Sequence, residues 1–117
     1  MNMRIVKEPI TSKELSEFVQ EGYTGRLVKA VVDIKQGIMA VGGELHADEE
    51  VLLMGQEGTQ RDDTWGINIY PEKSNEDFIE FDSMINLKPG LGNRSRGVEN
   101  KEIQDKIKII VNKLILK

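Results

Sequence analysis

Hydrophobic and polar positions alternate through Arg26–Ile34. Val28, Ala30, Val32 and Ile34 fall on one side, and Leu27, Lys29, Val31 and Asp33 on the other. A period of two belongs to an extended chain, so this stretch predicts a strand. Lys35, Gln36 and Gly37 supply a turn, and "IMAVGGEL" returns as a second strand, which together make an antiparallel hairpin. "TWGINIY" predicts a third strand, stopped by Pro71. The longest alternation lies in "FIEFDSMINLKP". Ile79, Phe81, Ile85 and Leu87 share one side, while Phe78, Glu80, Asp82, Met84 and Asn86 share the other, which predicts a long fourth strand. "MRIVK" near the start is short and β-branched, and Pro9 ends it.

The period lengthens in three places. In "TSKELSEFVQEG", Leu15, Phe18 and Val19 recur at helical spacing, Thr11 and Glu14 have the pattern of a capping box, and Gly22 suits a helix stop. "NKEIQDKIKIIVNKLILK" is the clearest helix. Asn100 is its N-cap, and Ile103, Ile107, Ile110, Val111 and Leu114 form its apolar stripe. Ile109 and Leu116 fall on a separate flank, where a homodimer contact is one use for them. "HADEEVLLMG" reads as a short helix with an acidic first turn. Strands that pair as hairpins, flanked by helices, predict an α+β two-layer sandwich. It has a mostly antiparallel sheet of four to five strands, with the long C-terminal helix and the N-terminal helix on one face. The whole chain, 1–117, is expected to be one domain.

Composition narrows the function. With 38% hydrophobic and 31% charged residues in 117, the chain has the make-up of a globular domain. Without cysteine there is no disulfide, thiolate metal site or cysteine nucleophile. No apolar run reaches the roughly 20 residues of a membrane span, and "MNMRIVKEPI" lacks a signal-peptide core. The expected location is the cytoplasm. A net charge of −4 weighs against nucleic acid as a partner. The charge is uneven, however: residues 1–87 carry 8 Lys+Arg and 17 Asp+Glu, and residues 88–117 carry 8 and 3. That polarity favours an anionic partner near the C-terminal third, or simply a wet helix face.

Registering the strands brings polar residues together. If the second strand stays extended, Ile38, Ala40, Gly42, Glu44 and His46 share a side. Asn68 and Tyr70 then join Glu80, Asp82 and Asn86 on the sheet face away from the helices. Such a face can hold a ligand, and it is equally what the solvated side of a one-sided sheet looks like. Glu44, His46 and Asp48 are metal-ligand types at alternate positions, a weak pattern with one histidine in the chain. Gly42 and Gly43 inside a strand indicate a bulge, a bend or a close approach by a neighbour. The loop "PGLGNRSRG" combines glycines, Asn93, Arg94, Ser95 and Arg96 ahead of a helix, which favours an anion.

Three functions follow as expectations. The first is a binding protein for a small anionic or phosphate-bearing ligand, held by Asn93, Arg94 and Ser95 in a pocket lined by Glu44, His46, Asn68, Tyr70 and Asn86. The second is a hydrolase with Glu44 or His46 as general base, metal-assisted or not. The third is a homodimeric interaction module. No residue pattern identifies a cofactor.

"VVDIKQGIMAVGGELHAD", "WGINIYP" and "INLKPGLGNRS", at this spacing, resemble a family of small bacterial and archaeal proteins catalogued as a domain of unknown function. The resemblance covers nearly the whole chain. It implies a stand-alone domain and carries no activity and no catalytic residues with it.

Overall fold

The computed structural model describes residues 2–117. Its strands are β1 (Arg4–Val6), β2 (Ile10–Thr11), β3 (Gln20–Gly22), β4 (Gly25–Asp33), β5 (Ile38–Val41), β6 (Thr64–Ile69), β7 (Ile79–Glu80) and β8 (Ile115–Leu116). Its α-helices are α1 (Ser12–Ser16), α2 (His46–Glu57) and α3 (Lys101–Leu114). The main sheet runs β1-β5-β4-β6-β7, with β3 paired to the start of β4, and every pairing in it is antiparallel. β2 and β8 form a separate parallel pair. The α+β class, the antiparallel sheet and the long C-terminal helix are those that the alternation and the α3 stripe predict.

The sheet buries both faces over its centre. On one, Val28, Ala30, Val32, Met39, Val41, Trp65, Ile67 and Ile69 meet Ile107, Ile110, Val111 and Leu114 of α3 and Leu15 of α1. On the other, Val31, Ile38 and Ala40 meet Leu53 of α2, with Ile5, Leu52 and Ile85 packed around them. Helix α2 therefore adds a layer on the face expected to be open. Its run of four apolar residues has no clean stripe, and of these Leu53 alone is fully buried, while Val51 is exposed.

Three local expectations change. Helix α1 is capped as expected: Thr11 Oγ1 accepts from the Glu14 amide at 3.1 Å and Glu14 accepts from the Thr11 amide at 3.2 Å. It ends at Ser16, and Gly22 stops no helix. Gly22 pairs with Gly25 across a two-residue hairpin turn, where a Cβ on Gly22 would lie 2.7 Å from Leu27. The long fourth strand is two residues long. Ile79 and Phe81 pack on the α3 side and Ile85 on the α2 side, so the chain turns across the sheet edge between them. The turn is a 3-10 stretch at Met84–Asn86, begun by Ser83 Oγ accepting from the Ile85 amide. Helix α3 is capped by Asn100, whose Oδ1 accepts from the Glu102 and Ile103 amides, and yields to β8 instead of running to the C-terminus.

Candidate functional site

The α2-side face of β6 presents Thr64, Gly66 and Asn68 in turn, with Tyr70 just beyond. At its far end lies a cleft of about 300 Å³, lined by the β3–β4 hairpin and by Lys29, Asn68, Tyr70, Glu80 and Asp82. Pairing of Asn68 with Glu80 across β6 and β7 sets those two side chains side by side. Asn68 Nδ2 and Tyr70 OH both donate to Glu80 Oε1, at 2.9 and 2.8 Å. Because the tyrosine proton goes to Glu80, Thr24 is the donor in the hydrogen bond that joins Thr24 Oγ1 to Tyr70 OH. Burial, with Glu80 alongside, pushes the phenol above its ordinary range, so Tyr70 remains a donor.

Asn68 is 8% exposed, and its Oδ1 is buried with no hydrogen-bond partner. The amide cannot be turned to cure this, because Nδ2 is committed to the carboxylate. Lys29 Nζ donates to the Glu44 carbonyl at 2.9 Å and keeps two further N–H groups. Arg96 closes one edge through Asp82 at 2.6 Å.

His46 stands beside this cleft, in the first turn of α2. Its Nε2 lies 2.7 Å from the Ile67 carbonyl. A carbonyl only accepts, so Nε2 carries the hydrogen and Nδ1 holds the lone pair. Burial pulls the imidazole below its ordinary pKa, against the Ile67 carbonyl and Asp82, while Lys29 and Arg96 add to the lowering. The ring is neutral at pH 7.

The remaining candidates separate from this group. Gly42 adopts φ +90°, and a Cβ there would lie 2.5 Å from Phe18. The strand ends at that point, so Glu44, His46 and Asp48 do not fan from one ribbon. Among the described residues no three His, Asp or Glu side chains come close enough to hold a metal. The Glu44 carboxylate is exposed beside other grooves. Gly43 makes room for Glu49, whose Oε2 accepts from the Gly43 amide at 2.8 Å and whose Oε1 is buried without a partner. The double glycine thus serves approaches from within the chain. Burial raises the Glu49 carboxyl to about 9, against the Gly43 N–H and Lys29.

Asn86 is fully buried and works as a substitute strand. Its Oδ1 accepts from the Gly66 amide at 2.8 Å and its Nδ2 donates to the Gly66 carbonyl at 3.0 Å, closing the β6 edge that β7 leaves open. Gly66 is required there, since a Cβ would lie 2.5 Å from Ser83 Oγ and 3.2 Å from the His46 ring. Asn93 is the hub of the glycine-rich loop. Its Nδ2 donates to the Asn86 and Gly97 carbonyls at 2.7 and 2.8 Å, and its Oδ1 accepts from the Glu99 amide. Arg94 and Ser95 are exposed, and the Arg94 amide donates to Glu99 at 2.9 Å. The anion at this loop is the chain's own Glu99, whose carboxyl the Arg94 amide and the Ser95 hydroxyl hold below its ordinary range. The structure brings together Asn68 and Tyr70 in the cleft, sets His46 on the neighbouring Gly66–Ile67 stretch of β6, and gives Asn86 and Asn93 hydrogen bonds within the scaffold.

Lys29 and Thr24 also line this cleft, and the sequence pattern does not mark them as site residues. Lys29 was visible as a polar interruption opposite the Val28–Val32 side. Thr24 sits in a hairpin that the helical reading hid. Among the described residues no helix is long and apolar enough to cross a membrane. Ile109 and Leu116 are exposed, at 67% and 52%.

No curated protein and no solved structure matches the chain. A family model described as "Protein of unknown function (DUF5674)" matches residues 4–114. The match spans nearly every element above, including both β4–β5 and the Asn86–Asn93 scaffold, and the chain belongs to that family.

Proposed function

We propose that this chain is a cytoplasmic binding protein for a small polar ligand that presents hydrogen-bond donors, an amine above all, to the Asn68–Tyr70–Glu80 cleft. The cysteine-free composition suits the reducing compartment. The observation that carries the reading is the orphaned Asn68 Oδ1, held in place by its own Nδ2 bond to Glu80. A buried acceptor left unpaired costs about 1–3 kcal/mol, which a ligand N–H recovers when the Asn68 side chain shifts far enough to expose Oδ1 to the cleft. Glu80 and Asp82 supply the negative field that a cation prefers, and Lys29 is the partner for a carboxylate or phosphate elsewhere on the same ligand. The ligand is thus of mixed charge, and the anionic group expected from the sequence keeps a place in it at Lys29.

Amide NMR titration tests this with three probes: phosphoethanolamine, putrescine and inorganic phosphate. The expected result is that both amines shift Lys29, Asn68, Tyr70 and Glu80, and that Asn68→Leu removes the shifts. Binding of phosphate alone, with no amine moving these residues, returns the ligand to a simple anion.

A second reading, hydrolysis with His46 as general base, has one observation in its favour. The Ile67 carbonyl fixes the tautomer and leaves a neutral ring with Nδ1 able to accept a proton. A turnover rate that does not fall as pH drops through the imidazole range removes it.

A further inference from the structure

A second cleft, of about 420 Å³, opens at the opposite end of the same β6 face, against Glu50, Arg61, Ile85, Leu87, Lys88 and Leu91. Lys88 is only 8% exposed and forms no ion pair among the described residues. Its Nζ has two hydrogen-bond acceptors, the Ile85 carbonyl at 2.9 Å and Thr64 Oγ1 at 3.5 Å. A neutral amine has two N–H groups for these two acceptors and keeps its lone pair free, whereas an ammonium has a third hydrogen to place. Thr64, fully buried, has two acceptors for its one hydroxyl hydrogen, Glu50 Oε2 and the Arg61 carbonyl at 2.8 Å. With that hydrogen turned to Glu50, lysine, threonine and glutamate form a continuous proton path that ends on a carboxylate at the cleft wall.

We propose that Lys88 is a carbonyl-reactive amine, and that this cleft takes a small aliphatic aldehyde or ketone as a Schiff base. The Lys88 nitrogen adds to the carbonyl carbon. It then passes one proton to Thr64 Oγ1 while the Thr64 hydroxyl proton moves to Glu50, and Glu50 delivers that proton to the alkoxide to give the neutral carbinolamine. The second nitrogen proton follows the same route to the carbinolamine hydroxyl, which leaves as water as the C=N bond of the neutral imine forms. Ile85, Leu87 and Leu91 provide the apolar wall for the alkyl group. The lysine backbone is rigid, because Lys88 exchanges hydrogen bonds with Asn93 at 2.9 and 3.1 Å. Burial lowers the ammonium pKa. Glu50 on α2 and Asp62 and Asp63 on the loop before β6 oppose that, Arg61 assists it, and the Trp65 ring at 5.3 Å also favours the cation.

The test is reductive trapping on the intact chain, with butanal and sodium cyanoborohydride, followed by peptide mass mapping over time. Lys88 should be labelled ahead of exposed lysines such as Lys106 at pH 7, by about tenfold for each unit by which its proton is more easily lost. Lys88 labelled last, or not at all, while Lys106 reacts overturns the proposal. Thr64→Val should slow Lys88 and leave Lys106 unchanged, and Thr64→Ser should restore the rate in an equally folded protein. An unchanged Lys88 rate in Thr64→Val removes the relay and reduces Lys88 to an anchor for the turn it grips.

Discussion

The two faces of the central sheet are built on different principles. Toward α3 the contact is hydrocarbon but for one unpaired indole N–H, that of Trp65: Ile67 and Ile69 meet Ile107 and Val111 with no charged side chain among them. Toward α2 the same strands carry Thr64, Gly66 and Asn68, and the helix brings Glu49, Glu50 and His46 down onto them. The first face holds the fold together. The second holds buried polar groups, two of them unpaired, and has a cleft at either end. A chain that leaves such groups unpaired forgoes stability, and sites of binding or chemistry are where that happens.

Truncation should separate the faces most. Ile107→Ala empties a fully buried position in the larger cluster and is expected to cost about 4 kcal/mol, within the range for buried Ile to Ala. Leu53→Ala, in the four-residue cluster under α2, should cost about 2 kcal/mol, at the lower end of the same range. Urea melts read both, and equal losses would show that the α2 face is as much a core as the α3 face.

The difference between the faces is also why one was legible in the sequence and the other only in part. Ile103, Ile107, Ile110, Val111 and Leu114 need no partner to be recognised, because their spacing alone defines a stripe. The same is true of Val28–Val32, and of Ile67 and Ile69. The α2 face depends on pairings distant in sequence. Nothing in "HADEEVLLMG" announces that Leu53 covers Val31, or that His46 turns to a carbonyl 21 residues away. The alternation of Ile79, Phe81 and Ile85 suggested a strand because a chain crossing from one face to the other keeps the same rhythm. The sequence places Asn86 on a ligand-lining face and Asn93 in an anion-holding loop, and gives no sign of Lys88. They are buried because they satisfy backbone groups that irregular loops leave open, which period arguments do not count.

The next contrast is in pH dependence. Glu49 is fully buried on the α2 side, and its carboxyl is raised from the ordinary range to about 9. A raised acid stabilises the folded state fully below its unfolded pKa, and that contribution is lost as pH climbs toward 9. By pH 7 the loss is about 3 kcal/mol, from 1.36 kcal/mol per unit. Glu49→Gln should flatten the fall in stability between pH 5 and 9. Glu14 and Glu99 shift the other way, and their contributions are lost only as pH falls below the ordinary carboxylate range. Parallel stability curves for the variant and the native chain would mean that Glu49 is ionised in the fold.

Asn86→Ala acts on the edge between the faces. It leaves the Gly66 amide and carbonyl without partners, and the Arg96 carbonyl loses a donor at 2.9 Å. The expected cost is about 2 kcal/mol, with hydrogen exchange at Gly66 speeding up by more than at Ile69. Protection unchanged at Gly66 would mean that the strand edge does not need its side-chain substitute.

The smallest effect is the one that speaks to function. Asn68→Val gives up the bond to Glu80, and in return removes an unpaired carbonyl and puts a β-branched residue on a strand. These terms oppose each other, so stability should stay within about 1 kcal/mol of the native chain. A residue kept for the fold behaves like Asn86, and its loss is felt at once. A residue kept for a ligand is tolerated in the melt and missed in the titration. If Asn68→Val proves as damaging as Asn86→Ala, the orphaned carbonyl belongs to the scaffold, and the cleft at Tyr70 and Glu80 loses its main reason to be a site.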